Sequence, residues 1–415
     1  VPIEHCKIGR SKTAGGETPV EKIGPGRHIK AKTHASGVVT AWSSRCSAES
    51  AVADFASLID PQRFCQLLVF FSPIYCADTL ARELSHAFPG LPVAGCSTAG
   101  EITPGGIADD ALVVIALPRL GFRVVSDVIA DIGSLTVERG AATARRLRAQ
   151  LEQADGDGGS RPGHRFGVVL IDGMSYREEL TISTIATALA GIPVVGGSAG
   201  DGMSFASTRQ IHDGKACRNA AVLVLVECEL PLEVFHHDNF QPTDQKLVVT
   251  RCDPERRIVY ELNAEIAATE YARAVGARLD DLTPLRFASH PVVVRIGGNY
   301  YSRSIQRVHP DGSMSFFCAI DNGVVLTVAR HCDLVKSAEA ELARLDAALG
   351  GLDLVIGFDC VLRRVDAARR RARSRIEELY RRHNVTGFFT YGEQFGAMHL
   401  NQTFTGVAIG RPKVH

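Results

Sequence analysis

Two stretches decide the reading of this chain: Pro92-Val93-Ala94-Gly95-Cys96-Ser97-Thr98-Ala99-Gly100-Glu101 and Pro193-Val194-Val195-Gly196-Gly197-Ser198-Ala199-Gly200-Asp201. Each is an apolar start running into glycine and serine, and the two lie about a hundred residues apart. Their flanks match as well. Before the first comes the apolar run Leu67-Leu68-Val69-Phe70-Phe71 and a helical pattern over Asp78 to Phe88; after it comes Ala111 to Leu117. Before the second come Val168-Val169-Leu170-Ile171 and a helical pattern over Arg177 to Ala190; after it comes Ala221 to Val226. A recurrence of this length means one supersecondary unit used twice. Each unit reads strand, helix, strand, Gly-rich turn, strand. Unbroken apolar strands alternating with helices predict sheets buried on both faces, hence an α/β fold.

Outward from the repeat, residues 1–36 mix Gly, Lys, Thr and His without periodicity and read as a flexible N-terminal arm. A strand is expected near Val38 and a helix from Ala48 to Leu58, capped by Ser47 or Ser50. Asp155 to His164 reads as a loop between the units. The composition changes at Pro231-Leu232, which places an N-terminal module at 37–230 and an α+β C-terminal module at 231–415. In the latter, Leu247 to Thr250 and Arg257 to Leu262 form a hairpin across Asp253-Pro254-Glu255. A helix is expected over Ala264 to Val275 and strands over Val292 to Ile296, Ser304 to Val308 and Met314 to Ile320. Helices over Ala338 to Leu349 and Asp366 to His383 flank a strand at Leu354 to Phe358. Strands return at Gly387 to Tyr391 and Thr403 to Ile409.

Composition excludes several classes. Lysine plus arginine equals aspartate plus glutamate at 46 each, without the basic excess of a dedicated nucleic-acid binder. No apolar run approaches the ~18–20 residues of a membrane span. The first residues hold no apolar stretch of signal-peptide type. Eleven cysteines, the closest pairs eleven residues apart and none in a CxxC, fit reduced thiols of a cytoplasmic protein rather than a disulfide framework. Nucleotide P-loop, HExxH, EF-hand and dinucleotide motifs are missing.

Gly95-Cys96-Ser97-Thr98-Ala99-Gly100-Glu101, Gly196-Gly197-Ser198-Ala199-Gly200-Asp201, and the terminal Gly387-Phe388-Phe389-Thr390-Tyr391-Gly392-Glu393-Gln394 through Asn401-Gln402-Thr403 together resemble the FIST family. The resemblance spans about Gly37 to Gly410. It implies N- and C-terminal FIST modules, a sensory role and no enzymatic activity. A FIST protein without an attached kinase or cyclase domain is similar to members that bind haem b, sense nitric oxide and act on a histidine kinase in two-component signalling. Homo-oligomerisation is left open.

The candidate ligand residues follow from those three segments. Gly95, Ser97, Thr98, Gly196 and Ser198 offer converging backbone N–H groups and hydroxyls, or else glycines for close packing. Tyr391, Glu393 and Asn401, with Gln394, Gln402 and Thr403, set polar groups among apolar ones as binding pockets do. Glu393 would receive an amine or hold a loop. A haem iron needs an axial imidazole. His237 and His236, flanked by Phe235 and Phe240, and His399 inside the terminal motif are the candidates, with His290 and His331 behind them. His236 and His237 cannot both face one side of a strand. Gly196-Gly197-Ser198-Ala199-Gly200 also fits GxSxG, a serine-hydrolase elbow, although a poor helix start follows it. A haem-free sensor of a small metabolite such as an amino acid is the alternative. The arginines Arg369, Arg370, Arg371, Arg373, Arg375, Arg381 and Arg382 form either a solvated helix face or a surface for an acidic partner.

Overall fold

The computed structural model describes residues 29–153 and 163–412. The fold is mixed α/β and rich in strands. Most of the 1–36 arm lies outside the described residues, and so do positions 155–162 of the loop expected between the units. The last part of the arm does not: β1 (Ile29–Thr33) pairs antiparallel with β2 (Val39–Ser43).

From β2 the chain runs through α1 (Ala48–Ala56), β3 (Phe64–Phe71), α2 (Ala77–Ala87) and β4 (Val93–Ser97) to a hairpin, β5 (Glu101–Thr103) and β6 (Gly106–Ala108), and then β7 (Leu112–Pro118). Ser47 caps α1 by accepting from the Ser50 N–H. The scheme recurs with β8 (Phe122–Ala130), α3 (Val137–Gln153), β9 (His164–Ile171), α4 (Glu178–Leu189), β10 (Val194–Ser198), the hairpin β11 (Gln210–His212) and β12 (Lys215–Cys217), and β13 (Ala220–Cys228).

The sequence reading expects two such units; the sheets contain the pairing scheme three times. β14 (Leu232–His237) opens the third passage. An insertion follows: β15 (Phe240–Asp253), β16 (Ile258–Leu262), β17 (Glu265–Ile266), α5 (Ala267–Ala274), α6 (Pro284–Ser289), β18 (Val292–Ile296), β19 (Asn299–Arg303), β20 (Ile305–Val308), β21 (Met314–Phe316) and β22 (Val325–His331). The third passage then resumes with α7 (Leu334–Leu349), β23 (Leu352–Cys360), α8 (Val361–Arg369), α9 (Arg373–Arg382), β24 (Val385–Thr390), β25 (Glu393–Phe395), β26 (Met398–Leu400) and β27 (Phe404–Gly410). The expected single helix from Asp366 to His383 is two, α8 and α9. Arg371 turns left-handed (φ 54) between them, and Ala372 N–H reaches the Ala367 carbonyl, the closure of a Schellman-type stop.

In each passage the strand before the crossover helix pairs parallel with the strand after it and antiparallel with the closing strand. The pairs are β3 with β4 and β7, β9 with β10 and β13, and β23 with β24 and β27. The hairpin after each turn leaves its own sheet: β5 joins β24, β11 joins β4, and β25 joins β10. Three six- or seven-stranded sheets are thereby stitched together. The insertion forms a separate antiparallel sheet with its own core of Leu247, Val249, Tyr271, Phe287, Met314 and Phe316.

Strand alternation explains why the runs are apolar throughout. Leu68 and Phe70, Val168 and Leu170, and Ile356 and Phe358 point into one core shared by all three sheets. Their neighbours point outward: Val69 and Phe71 toward α1 and α2, Val169 and Ile171 toward α3 and α4, and Val355 toward α7 and α9. Phe70 ties two sheets by packing on Phe388 at 4.7 Å and Phe358 at 6.2 Å between ring centroids. No helix among the described residues is long and apolar enough to cross a membrane.

Gly95, Gly196 and Gly387 occupy equivalent places on the second parallel strand. A Cβ there would stand 2.1, 1.9 and 1.8 Å from the carbonyl oxygens of Val69, Val169 and Gly357. Replacing Gly95 by Ala therefore forces β3 and β4 apart and is expected to lower stability by about 1–3 kcal/mol, read as an earlier midpoint in urea unfolding.

Candidate functional site

The turns that follow β4, β10 and β24 meet one another. Ala99 N–H donates to the Phe389 carbonyl (2.9 Å), and Phe389 N–H to the Gly100 carbonyl (2.8 Å). Gly200 and Gly202 N–H groups donate to the Ser97 and Thr98 carbonyls (both 3.0 Å). Ser198 N–H donates to the Gly392 carbonyl (2.8 Å), and Tyr391 N–H to the Ser198 carbonyl (3.2 Å). The three turns thus form a closed cycle, in which the two Gly-Ser turns and the terminal motif are brought together.

Inside the cycle most of the polar groups read from the sequence are used up by the fold. Thr98 donates to Glu101, whose second oxygen accepts the Ala111 N–H (3.0 Å) just before β7. Thr390 donates to Glu393, whose second oxygen accepts the Thr403 N–H (3.1 Å) and hydroxyl (2.7 Å) just before β27. The T-x-G-E pattern of Thr98 to Glu101 and Thr390 to Glu393 is thus a clasp on the closing strand. In the middle passage Asp172 does this work, accepting the Asn219 N–H (2.6 Å) before β13. Burial pushes Glu101 up to about 7 and Glu393 up to about 8, against the pull of their hydroxyl and N–H partners. Glu393 is fully buried. Ser97 Oγ accepts the Arg209 N–H (3.0 Å).

Ser198 is fully buried, and its Oγ accepts from the Gln394 amide (2.8 Å). An amide donor gives the hydroxyl no base, so this arrangement does not make a serine nucleophile. Gln394 fixes the next group. Its nitrogen faces Ser198, so its oxygen accepts from His399 Nδ1 (3.2 Å). In this arrangement Nδ1 carries the proton and Nε2 the lone pair, and the Phe317 carbonyl stands close to the ring. Burial lowers His399 to about 4, keeping the ring neutral, although the nearby Glu179 and the Phe317 carbonyl pull the other way.

His399 Nε2 has no hydrogen-bond partner, nor has Asn401 Oδ1, nor Gln402 Oε1. Asn401 is oriented by the Tyr391 carbonyl, which takes its Nδ2 (3.4 Å). Gln402 Nε2 reaches Ser304 Oγ (3.1 Å) on the inserted sheet. His399 is 2 % exposed, Asn401 0 % and Gln402 1 %. Three acceptors on β26 and the turn that follows it are therefore buried and unmet. Each such group costs about 1–3 kcal/mol, which asks for an explanation.

Beside them lies an aromatic ledge. Phe205 stacks on Tyr391 at 4.4 Å and tilts against Phe317 at 5.7 Å; Phe205 and Phe317 are half-buried. The Tyr391 hydroxyl donates to Asp201, which also accepts the Phe205, Ala206 and Ser207 N–H groups (2.7–2.8 Å). The inserted sheet is clamped on through Arg257, which donates to Glu178 (2.6 Å) and Glu179 (2.7 Å) at the start of α4 and to the Phe317 carbonyl. Burial raises Glu178 to about 7, and Arg257 opposes that rise. Tyr176, Phe205, Arg257 and Gln402 all hold left-handed backbone, φ 51 to 56. Left-handed bulky residues are strained, and such strain gathers at functional sites.

The histidines separate. His237 Nε2 bonds Ser337 Oγ (2.7 Å), and burial lowers it to about 3. His399 lies against Gly392, where an added Cβ would be 2.2 Å from its Cε1, so nothing the size of a macrocycle fits between them. His236 lies between the rings of Phe395 (4.9 Å) and Tyr301 (6.1 Å). It makes no hydrogen bond among the described residues. The arginine run is largely compensated by Asp366, Glu377, Glu378 and Glu339.

Sequence reasoning reached Tyr391, His399, Asn401 and Gln402 but missed Phe205, Phe317, Arg257 and Glu178. The last four are joined to the motif only by the tertiary fold. The only local sign was Asp201-Gly202 after the second turn, a segment with turn chemistry and no helix to start.

Residues 66–265 match the FIST N domain and residues 267–396 the FIST C domain. The chain belongs to the FIST family, whose domains are small-ligand sensory domains of signalling proteins. It is also similar to the uncharacterized protein MJ1623 of Methanocaldococcus jannaschii. The identity is 24% over 385 residues, covering 82% of this chain and 73% of the relative. The division between the two matched regions falls inside the inserted sheet.

Two variants test the energetics. Arg257→Met leaves Glu178 and Glu179 without their cation and is expected to cost about 3–5 kcal/mol, part of it recovered by adding Glu178→Gln; paired urea titrations measure both. Glu393 titrates higher in the fold than the ~4.3 of an unfolded chain. The folded state therefore holds the extra proton, and that stability is lost as pH rises toward 8. Glu393→Gln should gain about 1–3 kcal/mol on wild type between pH 5 and 8 in the same assay.

Proposed function

We propose that this chain senses a small molecule carrying hydrogen-bond donors, such as an amino acid or another amine. The ligand would bind where the terminal motif, α4 and the inserted sheet meet. The observation that carries the reading is the set of buried, unmet acceptors His399 Nε2, Asn401 Oδ1 and Gln402 Oε1. A donor group would satisfy them, while the Phe205, Phe317 and Tyr391 rings would take the apolar part. Because Phe317, Arg257 and Ser304 belong to the inserted sheet, filling the site would favour one position of that sheet over another. A ligand shifts such an equilibrium only by its difference in affinity for the two positions. A signalling partner would read the resulting surface.

A second reading rests on His236, whose ring is flanked by aromatic groups and is not committed to a hydrogen bond. Held there, haem b would supply an iron that binds nitric oxide, and the partner would be a histidine kinase. The chain's own contribution would be the His236 imidazole on β14, whose movement would be felt by β27, its neighbour in the sheet.

Thermal-shift screening of a panel of amino acids and amines is the test. A binder should raise the melting temperature, since ligand at a hundred times Kd adds about 2.7 kcal/mol. Asn401→Leu should remove the shift. A panel without effect, together with an absorption band on adding haemin that His236→Ala abolishes, would transfer the assignment to the haem reading.

A further inference from the structure

The inserted sheet hangs from the rest of the chain by two neighbouring segments. The chain enters at His237–Phe240 and leaves at His331–Asp333. Phe240 pairs with His331, and Cys332 N–H donates to the Asn239 carbonyl (2.6 Å). A buried polar chain holds this hinge. Arg363 on α8 donates through Nε to Asp359 (2.6 Å) and through Nη1 to Asn239 Oδ1 (2.6 Å), and the Tyr380 hydroxyl completes Asp359 (2.7 Å). A guanidinium can only donate, so Asn239 must turn its oxygen to Arg363 and its NH2 to His331 Nδ1, 2.9 Å away. His331 Nδ1 must therefore be an acceptor, and its proton lies on Nε2, against the Ala288 carbonyl of α6.

We propose that Arg363, Asn239 and His331 form a one-way lock on the hinge of the inserted sheet, released when His331 takes up a second proton. A proton on Nδ1 would set two donors against each other. Turning Asn239 over would set its NH2 against the guanidinium. Either way a buried hydrogen bond is lost at the point where the sheet is suspended.

The surroundings favour the neutral ring. Burial is the largest influence holding His331 below its ordinary value. Arg370 just after α8 and Arg363 on α8 act in the same sense, and Asp366 on α8 and the Ala288 carbonyl act against it. Asp366 is itself bonded to Arg370 (2.7 Å). On the entering strand, His236 and His237 are also lowered by burial, and Asp238 is raised by it. At the far side, His290 beyond α6 is lowered by burial, with Arg286, Arg369 and Arg370 nearby. An undocked hinge would expose His331 to protonation near pH 6.5. The docked hinge thus binds fewer protons below that pH, and docking weakens as pH falls, by up to about tenfold per pH unit. The hinge stands on its own geometry. Its consequence, that acid loosens the wall formed by Phe317 and Ser304, rests on the ligand site proposed above.

Two measurements on the full chain test the lock. Nitrogen NMR of the histidine side chains at pH 7.5, with the His331 signals identified by their loss in His331→Gln or their shift in Asn239→Asp, should show the Nε2–H tautomer. Hydrogen exchange corrected for intrinsic rates should show residues 240–248 and 325–332 losing about tenfold protection between pH 7.5 and 5.5, with residues 64–71 unchanged. His331→Gln keeps an acceptor for Asn239, and Asn239→Asp accepts from both Arg363 and a protonated His331. Each should reduce the acid loss to less than threefold. An Nδ1–H tautomer, equal protection at both pH values in wild type, or an undiminished acid loss in a folded variant would overturn the proposal. If neither variant folds, the wild-type exchange alone decides it, and thermal-shift data on ligands bear on the site without bearing on the lock.

Discussion

The N–H of Ala99 is met by Phe389, that of Gly200 by Ser97, and that of Ser198 by Gly392. No one of the three turns is complete by itself, because each borrows its hydrogen-bond partners from another. Backbone groups this deep must be paired, so the three sheets cannot form independently. The exchanged hairpins follow from the same constraint. A chain leaving one turn is already beside the next sheet, and pairs there. The shared apolar core is then closed on three sides, and the helices are left to cover the outer faces.

That frame separates two kinds of buried polar group. Glu101, Glu393, Ser97 and Ser198 are fully engaged in holding turns and closing strands. His399, Asn401 and Gln402 stand close by, each with a buried side-chain atom that meets no hydrogen-bond partner. The strained backbone of Tyr176, Phe205, Arg257 and Gln402 surrounds the same point. Arg257 and Gln402 also bind the inserted sheet to the frame there, so a molecule at this junction would touch both.

Much of the frame was legible in the sequence, for stated physical reasons. The runs at Leu67 and Val168 are continuous because their strands are buried on both sides, and the glycines at 95 and 196 mark where parallel strands close up. The third passage escaped notice because the insertion separates β14 from α7 by ninety-odd residues of unrelated sheet and because Phe388 and Phe389 stand where the other turns carry small residues. The helix expected from Asp366 to His383 breaks at Arg371, a residue with no local preference for left-handed backbone. At the site, the terminal motif was found, but its roles were divided differently: Glu393 belongs to the clasp and His399 to the acceptor set. Phe205 and Phe317 could not be found from the sequence, since no spacing rule joins residues more than a hundred positions apart.

A crystal structure of the purified protein with a ligand that raises its melting temperature addresses the central claim most directly. The ligand's donor group is expected within hydrogen-bond distance of His399 Nε2 and Asn401 Oδ1, with its apolar part against Phe205 and Phe317. A ligand seated elsewhere, with ordered water alone bound to those two atoms, would contradict it.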